Sequence, residues 1–194
     1  MTTAPRILVV YAHPMHNHSR VNRRLSDAAR SVPNVRVHDL YESYPDFHID
    51  IEHEQALLRD ADLIVFQYPV QWYSMPSLLK EWIDVVLEEG WAYGNDGTAL
   101  QGKDFRLVAT AGGDIGSYQA SGYHGYPFSA FLPSFQQMAT LCGMRWLTPF
   151  VLYGARDVND DTVEAHAETY RQYLASYPES TAVNDANGSA AVGN

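Results

Sequence analysis

The sequence has one cysteine, Cys142, in 194 residues. A lone thiol cannot close an internal disulfide, and it excludes a cysteine-built zinc or iron–sulfur centre, so a reducing compartment is the simplest setting. Long apolar runs are missing as well. No window approaches 18 consecutive apolar residues, so no spanning helix is expected. The opening MTTAPRILVV lacks the basic-then-apolar order and cleavage site of a secretory signal. Positive charge is scarce: 13 Lys and Arg stand against 23 Asp and Glu, a formal net charge of −10. That balance argues against non-specific binding to nucleic acid or anionic lipid, although it leaves room for a local basic pocket. The expected location is cytoplasmic, with a peripheral position at the inner membrane as the alternative, and no nucleic-acid partner is expected.

Several signatures of chemistry are also absent. There is no G-x-S-x-G, which leaves a hydrolase elbow unsupported. No G-x-G-x-x-G follows the first apolar run, which disfavours a Rossmann dinucleotide site there. Gly97-x4-Gly102-Lys103 resembles a P-loop but ends in Asp104 where Ser or Thr is required, and it precedes a strand instead of following one. His13, His16 and His18 have neither cysteine nor carboxylate beside them, so no metal is expected and they read better as donors to an anion.

What is present is ordinary globular material, 46% apolar and 19% charged. Continuous apolar runs at Ile7–Ala12, Leu63–Gln67, Phe105–Ala111 and Arg145–Tyr153 predict buried parallel strands, and the weaker Val35–Leu40 predicts an edge strand. Helical patterns lie between them. The first starts at Ser19 as N-cap, with Val21, Leu25, Ala28 and Val32 on one stripe. A short one covers about Glu52–Arg59. The third runs from near Ser74 to Glu89 with Pro76 in its first turn and Gly90 as the stop. Two more cover Phe128–Cys142 and Val158–Tyr177. Five repeats of strand then helix predict an α/β fold: a flavodoxin-like, doubly wound, five-stranded parallel sheet in the order 2-1-3-4-5. Residues 1–178 are expected to form one domain, and 179–194, small and polar, a disordered tail.

In such a sheet the ligand lies beyond the carboxyl ends of the strands, near the switch in strand order. That rule selects three loops. The first, Ala12–Ser19, enters a helix whose N-terminal N–H groups and dipole suit a phosphate, with His13, Ser19, Arg20 and Asn22 beside it. A plain cap at Ser19 is the competing reading. The second, Tyr68–Ser74, offers flat surfaces in Trp72 and Tyr73 and an amide in Gln71, which suit a planar heterocycle; simple packing of the two rings is the alternative. The third, Gly112–Pro127, opens on two glycines that let a ligand approach the backbone closely. Thr110 precedes them, and Tyr118 and His124 follow as candidate proton donors.

With these loops identified, the sequence resembles the flavin-dependent NAD(P)H:quinone oxidoreductases of the DT-diaphorase group, and most the small bacterial branch that contains the ancillary oxidoreductase of glutathione-regulated potassium efflux. The matching blocks are YAHP (11–14), Ser19–Asn22, YPDFHIDIEHEQ (44–55), DLIVFQYPVQWYSMPSLLKEWID (62–84), GWAYG (90–94), TAGG (110–113) and CGMRWLTPF (142–150). The resemblance covers about residues 6–175. QWYSMP and WID are its specific elements.

The resemblance implies that His13, Ser19, Arg20, Val21 and Asn22 hold the flavin phosphate and ribityl chain. Val70, Gln71, Trp72 and Tyr73 would line the isoalloxazine ring, and Thr110, Ala111, Gly112 and Gly113 would lie along its pyrimidine side. Tyr118 and His124 match the Tyr and His that assist hydride transfer. Trp91 and Tyr93 match aromatics near a substrate pocket at a homodimer interface. TAGG replaces the commoner TTGG, so one hydroxyl contact is absent. The implied cofactor is FMN, with FAD as the alternative, and the implied reaction is ping-pong two-electron transfer from NADH or NADPH to a quinone. A regulatory flavoprotein subunit bound to a potassium-efflux membrane protein, or an azo- or nitro-reductase, are the alternatives.

Overall fold

A computed structural model describes residues 4–15, 17 and 19–179. The tail assigned to 179–194 lies outside the described residues except for Glu179. The strands are β1 (Ile7–Tyr11), β2 (Val35–Asp39), β3 (Leu63–Pro69), β4 (Asp104–Thr110), β5 (Arg145–Trp146) and β6 (Phe150–Leu152). They form one parallel sheet in the order β2-β1-β3-β4-β5, with β6 also paired to β4. The expected order holds. The fifth position, read as one continuous strand, is instead two short ones. Pro149 has no N–H to donate to a ladder, and the Arg106 Nε donates to the Thr148 carbonyl oxygen at 2.7 Å. Pairing therefore stops after Trp146 and resumes at Phe150.

The helices are α1 (Val21–Arg30), α2 (Leu40–Ser43), α3 (Ile51–Asp60), α4 (Ser77–Val86), α5 (Pro133–Leu141) and α6 (Asp160–Ala175). α2 is a single turn capped by Asp39, whose carboxylate accepts from the Tyr41 and Glu42 N–H groups. Its length is below what periodicity can detect. The pattern at Phe128–Cys142 divides into a 3₁₀ turn at Phe128–Phe131 and α5, with Pro133 opening the latter. α4 starts three residues later than expected, because residues 71–74 form a tight turn of their own.

Alternate residues of each strand feed two cores, as a sheet covered on both faces requires. Leu8, Val10, Phe66 and Phe105 pack with Leu58, Trp82 and Phe135 under α3, α4 and α5. Ile7, Val9, Val65 and Val108 pack with Leu25, Val163, Tyr170 and Leu174 under α1 and α6.

Two buried polar groups fasten this frame. Glu54 is fully buried, and its carboxylate accepts from the His38 Nε2 at 2.7 Å, the Tyr44 hydroxyl at 2.5 Å and the Trp82 Nε1 at 2.8 Å. Burial alone would raise its pKa, but these donors outweigh burial and hold it below the ordinary carboxylate value. Asp104 lies at the amino end of β4. It accepts from the Arg145 Nε and Nη2, both at 2.7 Å, and from the Tyr177 hydroxyl at 2.9 Å.

Candidate functional site

The carboxyl ends of β1, β3, β4 and β6 open onto a cleft with two halves. The first half, about 420 Å³, is built around the start of α1 and is lined by His13, Ser19, Arg20, Val21, Asn22 and Thr110. Contrary to the expectation for Ser19, the N-cap is Arg20, with no side-chain hydrogen bond and no acidic residue in the first turn. α3 and α6 begin with capping Asp50 and Asn159 and carry acids in their first turns, whereas α4 and α5 are uncapped like α1; of these three uncapped starts, that of α1 is the one lining the cleft. An uncapped N-terminus leaves N–H donors and a positive dipole end for an anion.

The side chains around that terminus are arranged by their neighbours. The His13 Nδ1 accepts from the Met15 N–H at 3.1 Å, so the neutral ring carries its proton on Nε2. The Asn22 Nδ2 donates to the Thr110 Oγ1 at 2.7 Å, and the buried Asn22 Oδ1 has no partner among the described residues. The Arg20 guanidinium turns away to Asp160 at 2.7 Å and the Val158 carbonyl, which ties α1 to α6. His16 and His18 lie outside the described residues.

The second half, about 730 Å³, is lined by Val70, Gln71, Trp72, Tyr73, Tyr118 and His124, with Gly112 and Gly113 at its floor. Gln71 and Ser74 exchange backbone hydrogen bonds at 3.1 and 2.9 Å, and the two residues between them are left-handed, Trp72 at φ 48° and Tyr73 at φ 63°. Such a turn normally takes Asn-Gly. Bulky residues there cost roughly 1–2 kcal/mol each. Packing does not compensate at Trp72, whose side chain is 94% exposed at the cleft mouth.

Tyr73 stacks on Phe131 with ring centroids 5.1 Å apart, and its hydroxyl lies 3.3 Å from the His124 Nδ1. The His124 ring sits 4.4 Å from that of Tyr118. Tyr118 is buried, and burial raises its hydroxyl pKa, so it keeps its proton at neutral pH. The long loop holding both is fixed by Asp114, which accepts from the Ser117 N–H at 2.7 Å, and by the His124 N–H donating to the Ser117 carbonyl at 3.0 Å. The His124 Nε2 is buried without a partner among the described residues. It rests against Gly113, where a Cβ would lie 2.8 Å from it. Glycine at 113 is therefore a condition for the position of this histidine.

Three residues implied for the site line neither half. Ala111 is fully buried, and its backbone serves as scaffold: its N–H donates to the Leu152 carbonyl at 2.8 Å, and its own carbonyl accepts from the Ala155 N–H at 2.9 Å. Trp91 and Tyr93 follow α4. Trp91 lies under the Arg59 guanidinium, 5.3 Å from ring centroid to Cζ. A fourth loop, not singled out from the sequence, completes the cleft: Ala155 and Arg156 line the first half, and Arg156 and Asp157 the second. Applying the strand-end rule to the fifth strand as well would have located it.

Residues 5–174 match the family model described as a flavodoxin-like fold. The chain belongs to that flavodoxin-like family. Within it, the chain is 47% identical over 176 residues to the glutathione-regulated potassium-efflux system ancillary protein KefG of Yersinia pestis, a match covering 91% of this chain and 97% of that protein. Among solved structures, general stress protein 14 of Treponema denticola in complex with FMN superposes with a TM-score of 0.82 at 36% identity, over 88% of this chain and 98% of the other. An NADPH-quinone reductase from P. pentosaceus superposes with a TM-score of 0.79 at 28% identity, over 87% and 97%. No helix among the described residues is long and apolar enough to cross a membrane.

Proposed function

We propose that this chain is a flavin-dependent NAD(P)H oxidoreductase that acts as the ancillary subunit of a potassium-efflux membrane protein. The observation that carries the oxidoreductase reading is the two-part cleft itself. It joins an uncapped helix N-terminus, suited to a phosphate, to an aromatic-walled half with glycines at its floor. The full-length likeness to KefG supports the ancillary role.

The residues present fit FMN. The start of α1, with Ser19, Val21 and the His13 Nε2, would hold the phosphate. The unpartnered Asn22 Oδ1 is an acceptor, which suits a ribityl hydroxyl better than a phosphate oxygen. Val70, Gln71, Trp72 and Tyr73 would flank the ring, and the Gly112-Gly113 backbone would approach its edge. When bound, the flavin takes two electrons and a proton from NADH or NADPH and hands them to the acceptor. The protein's own part is orientation and proton management. Tyr118 holds a proton at its hydroxyl, and the His124 Nδ1 faces the Tyr73 hydroxyl, so a proton can be held or relayed at the ring's edge.

Quinone is the acceptor favoured by the structural likeness to the NADPH-quinone reductase and by a mouth lined with exposed aromatic rings, Trp72 and Tyr123. Trp91 and Tyr93 line neither half of this chain's own cleft and would contribute to a substrate pocket across a homodimer. The test is to purify the chain, release its flavin and identify it by mass, then assay menadione reduction with each nicotinamide and look for co-purification with the efflux protein. FMN, turnover and a captured partner are expected. A chain that stays colourless with excess FMN and FAD overturns the reading.

A further inference from the structure

Arg156 lies in the cleft with no carboxylate partner among the described residues. Six other arginines lie within 4 Å of a carboxylate. Arg156 makes no such pair among the described residues, even with Asp157 beside it on the same wall. Arg23, Arg36 and Arg59 also lie outside these pairs, but none of them lines the cleft, whereas Arg156 lines both of its halves, where an anionic group of a ligand would meet it.

Its position says which part of a ligand it meets. The turn carrying it follows β6 and is fastened to the glycine loop by the Gly154 N–H donating to the Gly113 carbonyl at 2.8 Å and the Ala155 N–H donating to the Ala111 carbonyl at 2.9 Å. The guanidinium lies over Gly112, where a Cβ would come 3.0 Å from Nε and 3.4 Å from Cζ. Arg156 and Gly112 both line the phosphate half and the ring half, so they mark the seam between them. A flavin ring joins its ribityl chain at N10, and on the pyrimidine side that junction is flanked by N1 and the C2 oxygen. With a phosphate held at the start of α1 and the ring among Tyr73, Tyr118 and His124, that junction would fall at the seam. Reduction by two electrons and one proton leaves a negative charge on that edge.

We propose that Arg156 sets the charge preference of the site: its guanidinium meets the N1 and C2-oxygen edge and favours the reduced cofactor over the oxidised one. The inference rests on the flavin reading above and deepens it. The full-length chain is loaded with FMN, and the two-electron midpoint potential and the affinity for oxidised FMN are measured for the parent, Arg156→Gln and Arg156→Lys. Arg156→Gln should weaken the binding of reduced FMN about tenfold more than that of oxidised FMN, a fall of about 30 mV for a two-electron couple. Arg156→Lys should recover most of that fall. An unchanged potential overturns the inference. So does an equal loss of affinity in both oxidation states, which would make Arg156 a clamp on the phosphate. If the parent itself takes up no flavin, the functional reading fails first, and visibly so.

Discussion

The Glu54 cluster and the cleft are both polar regions inside a mostly apolar frame, and they are finished differently. Around Glu54 the carboxylate receives three donors from β2, the segment before α3, and α4. In the cleft, among the described residues, the Asn22 Oδ1 and His124 Nε2 lack partners, Arg156 lacks a carboxylate, and the start of α1 has no side-chain cap. Two aromatic residues there also hold a backbone shape that favours glycine. Satisfied polar groups fasten a fold. Among the described residues, unpartnered buried atoms also occur away from the cleft, as at the His166 Nε2 and the Tyr170 hydroxyl of α6. It is their combination in the cleft with an arginine lacking a carboxylate, an uncapped helix start and a strained turn that points to a ligand.

The contrast can be broken from either side. The largest effect is expected in the cleft: Tyr118→Phe and His124→Ala should each slow reduction of the bound flavin roughly ten- to a thousandfold in stopped flow, with the unfolding midpoint unmoved. Full rates in both variants would remove the proton relay. Next comes Glu54→Gln, which sets an amide against three donors. Urea unfolding should register a loss of about 3 kcal/mol, while flavin affinity stays as in the parent. This carboxyl's pKa is lower folded than its ordinary value of 4.5. Its contribution is therefore complete above that value and disappears as pH falls through the folded pKa. An acid titration of stability should flatten in Glu54→Gln; an unchanged acid limb would show that other carboxylates set it.

Smaller is Asp104→Asn at the opposite end of the sheet. Arg145 is half exposed, so its attraction is screened, and about 1–2 kcal/mol of stability should be lost without any change in the cleft. Smallest is Trp72→Gly. It relieves a left-handed indole that packs on little, so stability should rise by up to about 1 kcal/mol while flavin affinity drops. A variant both less stable and equally good at binding would mean that Trp72 is structural after all.

Sheet order and the three loops were legible because parallel strands are continuous apolar runs and because the strand-end rule depends on order alone. Other features depend on tertiary context. Arg20 reads as a phosphate ligand beside a helix start, but Asp160, 140 residues away, takes its guanidinium. Ser19 reads as a cap, yet the helix begins one residue later than a capping serine needs. The YPDFHIDIEHEQ block was part of the resemblance without a role, and its role is the buried Glu54 cluster. Arg156 lies in a turn beyond the apolar run that ends at Tyr153, and a turn fastened by tertiary contacts to the glycine loop leaves no periodic mark in the sequence.

The interruption between β5 and β6 reaches further than the cleft. A sheet margin with a long row of unpaired amides and carbonyls invites a foreign strand to add on. Here the margin beside β4 consists of two residues, a gap closed by Pro149 and an arginine, and three residues. It offers no continuous ladder to extend, so strand addition is blocked on that side of the sheet, and the five-residue β2 at the opposite side is the margin that stays continuous.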